Sequence, residues 1–90
     1  MRTVYKYTGL FVNGKCIMKM PDQAKIVDVH LSADDTCLDI WAEVWTDEPL
    51  CDIEFVIIGT GGELPDDYRW WHVRTIQHPP FVWHIYRRNP

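Results

Sequence analysis

The chain has 90 residues, a formal net charge of −4, only three Ala, and twenty-two Val, Ile and Thr. That length makes one domain, 1–90, and the excess of β-branched residues favours strands and excludes a helix bundle. No apolar run approaches about 18 residues, which excludes a transmembrane helix, and the opening Met1-Arg2-Thr3-Val4-Tyr5-Lys6-Tyr7 does not read as a signal peptide.

Arg2 to Val12 reads as a strand, followed by Asn13-Gly14, the pair that favours a type I′ hairpin turn. A two-residue loop there sets Val12 opposite Lys15, Phe11 opposite Cys16 and Tyr7 opposite Met20. Tyr7, Phe11, Cys16, Met18 and Met20 then share one apolar, core-facing side. After the turn at Pro21-Asp22-Gln23-Ala24, Lys25 to Leu31 alternates, with Val27, Val29 and Leu31 on one face and Asp28 and His30 on the other. Ser32 to Thr36 is a hairpin loop. Cys37 to Trp45 alternates again: Leu38, Ile40, Ala42 and Val44 point one way, and Asp39, Trp41, Glu43 and Trp45 the other.

Ile53 to Ile58 is a near-continuous apolar run, the pattern of a central strand buried on both faces. The longest loop, Gly59 to Asp67, follows it, and its Leu64-Pro65-Asp66-Asp67 end is suited to starting a helical turn. Trp70 to Gln77 and Phe81 to Tyr86 form the last two strands, joined through His78-Pro79-Pro80. The pattern predicts an all-β fold, a small antiparallel β-sandwich or barrel of about seven hairpin-connected strands.

The charge is unevenly spread. Residues 1–67 carry thirteen Asp and Glu against five Lys and Arg, whereas residues 68–90 carry four Arg and no acid. That tail also holds His72, His78, His84, Tyr68, Trp70, Trp71, Trp83 and Tyr86. Arg beside aromatic rings suits a flat anion, because guanidinium pairs phosphate and rings stack on bases. The acidic balance argues against polymeric nucleic acid, whose backbone needs many cations.

The predicted ligand site comprises the glycine-rich loop Gly59, Thr60, Gly61 and Gly62, whose N–H groups suit an anion nest, with Trp71, His72, Arg74, Trp83 and His84. Arg74 and His72, two apart on one strand, are expected on one face, and Arg69 is a spare cation. Trp41 and Trp45 form the predicted interface of a homo-oligomer, most simply a dimer. The loop lacks the Lys-Ser/Thr of a P-loop, and Ser32 is the only serine, so serine catalysis is not expected. Asp66 and Asp67 are the nearest carboxylates for the tail histidines. Three cysteines without a C-x-x-C spacing argue for free thiols and against a metal site.

Val4-Tyr5-Lys6-Tyr7, Met20-Pro21, Ala24-Lys25-Ile26-Val27, Cys37-Leu38, Ile57-Ile58-Gly59-Thr60-Gly61 and Phe81-Val82-Trp83-His84-Ile85 occur in that order. In this the chain resembles a group of small bacteriophage accessory proteins of about this length, departing from it at Gly62, where a His often follows Gly-Thr-Gly. The resemblance implies a phage product in the cytoplasm of an infected bacterial host. Joined to the acid-free tail, it suggests a counter-defence protein, without enzyme activity or cofactor and with no membrane association. Such a protein would bind and sequester a small phosphate-bearing, nucleotide-like host signalling molecule without turning it over. The alternative is an inhibitor of a host protein through a protein–protein interface.

Overall fold

The computed structural model describes residues 1–66 and 69–88. Seven strands run in chain order: β1 (Arg2–Leu10), β2 (Lys15–Pro21), β3 (Lys25–Leu31), β4 (Cys37–Trp45), β5 (Leu50–Gly59), β6 (Trp70–His78) and β7 (Phe81–Arg88). The described residues contain no helix, including the stretch up to Asp66; Asp67 and Tyr68 lie outside them. The strands form two antiparallel sheets, β1-β4-β3 and β2-β5-β7-β6, packed face to face as a small β-sandwich. Among the described residues no helix is long and apolar enough to cross a membrane.

The Asn13-Gly14 turn has the two positive φ values of a type I′ turn, 52° and 76°. However, it closes only the Val12–Lys15 bridge. Beyond it β1 pairs with β4 and β2 with β5, so the Phe11–Cys16 and Tyr7–Met20 pairs read from the sequence do not form. The predicted apolar stripe is nevertheless inward: Cys16, Met18 and Met20 are buried, and Tyr7 and Phe11 pack against them from the facing sheet. The two halves of the stripe meet face to face across the core rather than side by side within one sheet. Two connections, β3–β4 and β6–β7, are hairpins within a sheet, while β1–β2, β2–β3 and β4–β5 carry the chain between sheets.

β4 is the centre of the first sheet, and its alternation is as read: Leu38, Ile40, Ala42 and Val44 are fully buried. They meet Met20, Ile53, Phe55 and Ile85 of the second sheet. Each of these side chains larger than Ala contributes about 1.5–3 kcal/mol by leaving water. β3 departs from simple alternation. A bulge between Ile26 and Asp28 turns Val27 out to 55% exposure, and Ile26 takes its place inside. The far ends of the sheets are clamped by the Asp35 carboxylate of the β3–β4 loop against His78 Nδ1 at the end of β6.

Candidate functional site

The tail residues expected to converge are divided by β-strand parity. On β6 a bulge falls between His72 and Arg74, which pair with the consecutive residues Tyr86 and Ile85 of β7. Consecutive strand residues face opposite ways, so His72 lies on the outer face and Arg74 turns to the inner side. The expectation that they share a face is thus corrected: one inserted residue reverses it.

On the outer face His72 Nε2 meets Thr75 Oγ1 at 2.8 Å, Thr75 Oγ1 meets His84 Nδ1 at 2.9 Å, and His84 Nε2 meets Thr60 Oγ1 at 2.8 Å. Each threonine hydroxyl has one proton to donate, so the chain runs in one direction or the other with every link made. Both ring nitrogens of His84 are engaged, and they tie the Gly59–Gly62 loop to the sheet. Within that loop the Gly62 N–H donates to the Gly59 carbonyl at 2.8 Å, and the Thr60 N–H to the Val82 carbonyl at 3.3 Å. The loop is therefore a closed turn, with one of these donors directed at its own backbone and the other at β7, so neither is free for an anion. Trp83 points inward beside it. A Cβ at Gly59 would lie 3.4 Å from the Trp83 ring, and Phe81 lies against that ring at 5.4 Å.

The remaining tail groups gather elsewhere. Arg87 lies on the inner face of β7, opposite Phe55 and Trp71. It is four residues from Trp83, or roughly 13 Å along the strand. Here the edges of β3 and β6 come together from different sheets and leave a cleft of about 370 Å³, lined by Ala24, Ile26, Asp28, Trp71, Arg74 and Arg87. A wider hollow of about 620 Å³ adjoins it, with Ala24, Trp71 and Arg87 lining both. These volumes match small-molecule sites.

Arg87 is half-buried. Its Nε is buried without a hydrogen-bond partner, and its Nη1 donates only a long 3.5 Å bond, to the Ala24 carbonyl. Its guanidinium lies 5.7 Å from the centre of the Trp71 ring, which is 51% exposed. Among the described residues no carboxylate lies within 4 Å of it. The neighbouring acids are engaged elsewhere: Asp52 with Lys19 at 2.9 Å, and Glu54 with Lys15 and Arg88 at 3.9 and 3.7 Å. Burial pulls the Arg87 pKa below the usual arginine value, yet the group stays charged at neutral pH. Arg74, by contrast, has a counter-ion, Asp28, at 3.1 Å across the cleft mouth. An unpaired guanidinium beside an exposed indole can grip an anion and stack a flat ring. The sequence reading placed Trp71 and Arg74 in the site and missed Arg87. Its signal was parity: Arg87 is two residues from Ile85, a core residue on the same face.

The Trp41 and Trp45 face, the predicted interface, carries cations over its rings. Lys6 Nζ lies 5.5 Å over Trp41, and the Arg2 guanidinium 5.6 Å over Trp45. Arg2 also pairs with Glu43, and Asp39 gathers Thr8, Lys6 and His30. Cations over the rings let this face stay wet. All three cysteines are free, and among the described residues no three His, Cys, Asp or Glu side chains converge as a metal site.

Fold and cleft together define a small all-β sandwich with a cationic, aromatic cleft at a sheet edge. The chain belongs to the family described as a domain of unknown function, DUF7352, whose model matches residues 1–90. No curated protein and no solved structure matches it.

Proposed function

We propose that this chain is a binding module that holds a small phosphate-bearing ligand with a flat ring in the Trp71–Arg87 cleft and releases it unchanged. The observation that carries this reading is the half-buried Arg87 guanidinium, its Nε without a partner, beside the exposed face of Trp71. A buried donor without a partner is costly, and a ligand oxygen would satisfy it. Arg74 stands at the cleft mouth as a second cation, released to the ligand if Asp28 yields. In the setting implied by the resemblance to phage accessory proteins, the module acts in the infected bacterial cytoplasm by sequestering a nucleotide-like host signal.

The test is a ligand-dependent melting shift over a nucleotide panel that includes cyclic oligonucleotides and ADP-ribose derivatives. The ligand that shifts the parent is then titrated into Trp71→Ala, Arg87→Met and His84→Ala. The first two should weaken binding at least tenfold and the third should not. A ligand that binds all three variants alike lies elsewhere. If nothing in the panel binds, inhibition of a host protein takes over, with Trp71 and Arg87, residue types common in binding hot spots, as the contacts to scan.

A further inference from the structure

The sandwich has four strand edges, and three are blunted. β3 and β6 each carry a bulge, between Ile26 and Asp28 and between His72 and Arg74. On β2, the Ile57 N–H donates to the Gly14 carbonyl and the Asp22 N–H to the Pro49 carbonyl, so the even-numbered residues bond to β5 and the odd-numbered ones face the edge. Of those, Lys15 exchanges both backbone bonds with Val12, and Pro21 has no N–H, which leaves Ile17 and Lys19. Bulges, prolines and lysines are the usual devices that keep an edge from pairing.

β1 carries Arg2 and Lys6 at outward-bonding positions but has no bulge and no proline. It is nine residues of unbroken register against β4. The Thr46 N–H donates to the Met1 carbonyl and the Phe11 N–H to the Thr36 carbonyl, both at 2.8 Å. Odd-numbered residues of β1 therefore bond to β4. Arg2, Val4, Lys6, Thr8 and Leu10 direct their N–H and C=O groups away from the sheet, and all five are exposed.

We infer that β1 is the homodimerisation edge, pairing antiparallel with β1 of a second copy about a two-fold axis at Tyr5. In that register Val4 pairs with Lys6 and Arg2 with Thr8, and each pair exchanges two hydrogen bonds through the outward groups. The adjacent registers are disfavoured by charge: centring on Lys6 sets it against itself, and centring on Val4 sets Arg2 against Lys6. Tyr5, 47% exposed, meets its copy as a cross-strand aromatic pair. The result is one continuous six-stranded sheet, β3-β4-β1 joined to its copy. The cleft lies at the opposite edge of each protomer, so this inference does not depend on ligand binding.

Sedimentation equilibrium of the full chain at tens of micromolar should give a dimer. Val4→Pro removes one outward N–H and no β1–β4 bond, and should reduce the dimer to under a tenth while the far-UV CD stays β-rich. Tyr5→Cys sets two thiols at a non-hydrogen-bonded pair, about 4.5 Å between Cα atoms, within disulfide range. It should give a disulfide dimer under mild oxidation that neither the parent nor Thr8→Cys gives. A monomeric parent at 100 µM overturns the inference, as does a Val4→Pro dimer as strong as the parent's. If Val4→Pro fails to fold, the cross-link decides alone, and its absence is a refutation.

Discussion

Replacing Arg87 by Met should strengthen the fold and weaken binding. Met matches the arginine stem out to about the Nε position and has no charge or donors. The substitution removes a half-buried guanidinium whose Nε has no partner, a burden of about 1–3 kcal/mol. Against this stand the contact with Trp71, worth about 0.5–1 kcal/mol at an exposed ring, and the 3.5 Å bond to Ala24, too long to count for much. The balance is a gain of about 1 kcal/mol. For a domain of this size that raises Tm by about 4–8 °C. On the binding side, a charge-assisted hydrogen bond is worth about 1.5–3 kcal/mol, so affinity should fall by about 10- to 100-fold. Thermal unfolding followed by CD reads the first effect, and titration calorimetry with the nucleotide that shifts the parent reads the second. A drop in Tm of more than 5 °C would falsify the argument, because it would mean that the guanidinium holds the sandwich together. Unchanged affinity with raised Tm would remove Arg87 from the site. A stabilised variant that has lost affinity is the expected trade at a site where a donor is held ready for a ligand.

Other substitutions probe the frame around the cleft. Gly9→Ala should destabilise by about 1–3 kcal/mol in urea unfolding, because a Cβ there collides with Cys16 Sγ and comes within 3.1 Å of Met18 Cε; a neutral result would mean that β1 and β2 are less tightly packed than described. Thr75→Val breaks two links of the His72–Thr75–His84 chain and should cost about 1 kcal/mol, leaving nucleotide binding unchanged if the cleft is the site. Asp39 is held below the usual carboxylate pKa first by the Thr8 hydroxyl, then by Lys6 and His30. Its contribution to stability is therefore present above the unfolded pKa of about 3.9 and is lost as pH falls through the lower folded value. Thr8→Val should flatten the acid side of the stability–pH profile, measured by urea midpoints from pH 6 downward, and an unchanged profile would count against the Thr8–Asp39 bond.

Much of the architecture is local chemistry and is written in the order of residues along the chain. The alternation of Leu38, Ile40, Ala42 and Val44 appears as four fully buried side chains because a strand has period two whatever it pairs with. Asn13-Gly14 adopts its positive φ values because Gly has no Cβ and Asn tolerates the left-handed region, and Pro79-Pro80 separates the paired residues His78 and Phe81. Which strand lies beside which is not local. A type I′ turn is compatible with a hairpin or with a step between sheets, and the nine-residue match of β1 to β4 decided for the step. The two bulges had the same standing: a single extra residue, with no strong marker at Val27 or Val73, reversed the faces of Val27 and Arg74 relative to simple alternation. The candidate site depended on both effects. Its cationic and aromatic composition was legible in the acid-free tail. Its position was created by the tertiary structure, which brings the edges of two different sheets together so that Arg74 meets Asp28, 46 residues earlier, and Arg87 is left inside with Trp71 for company.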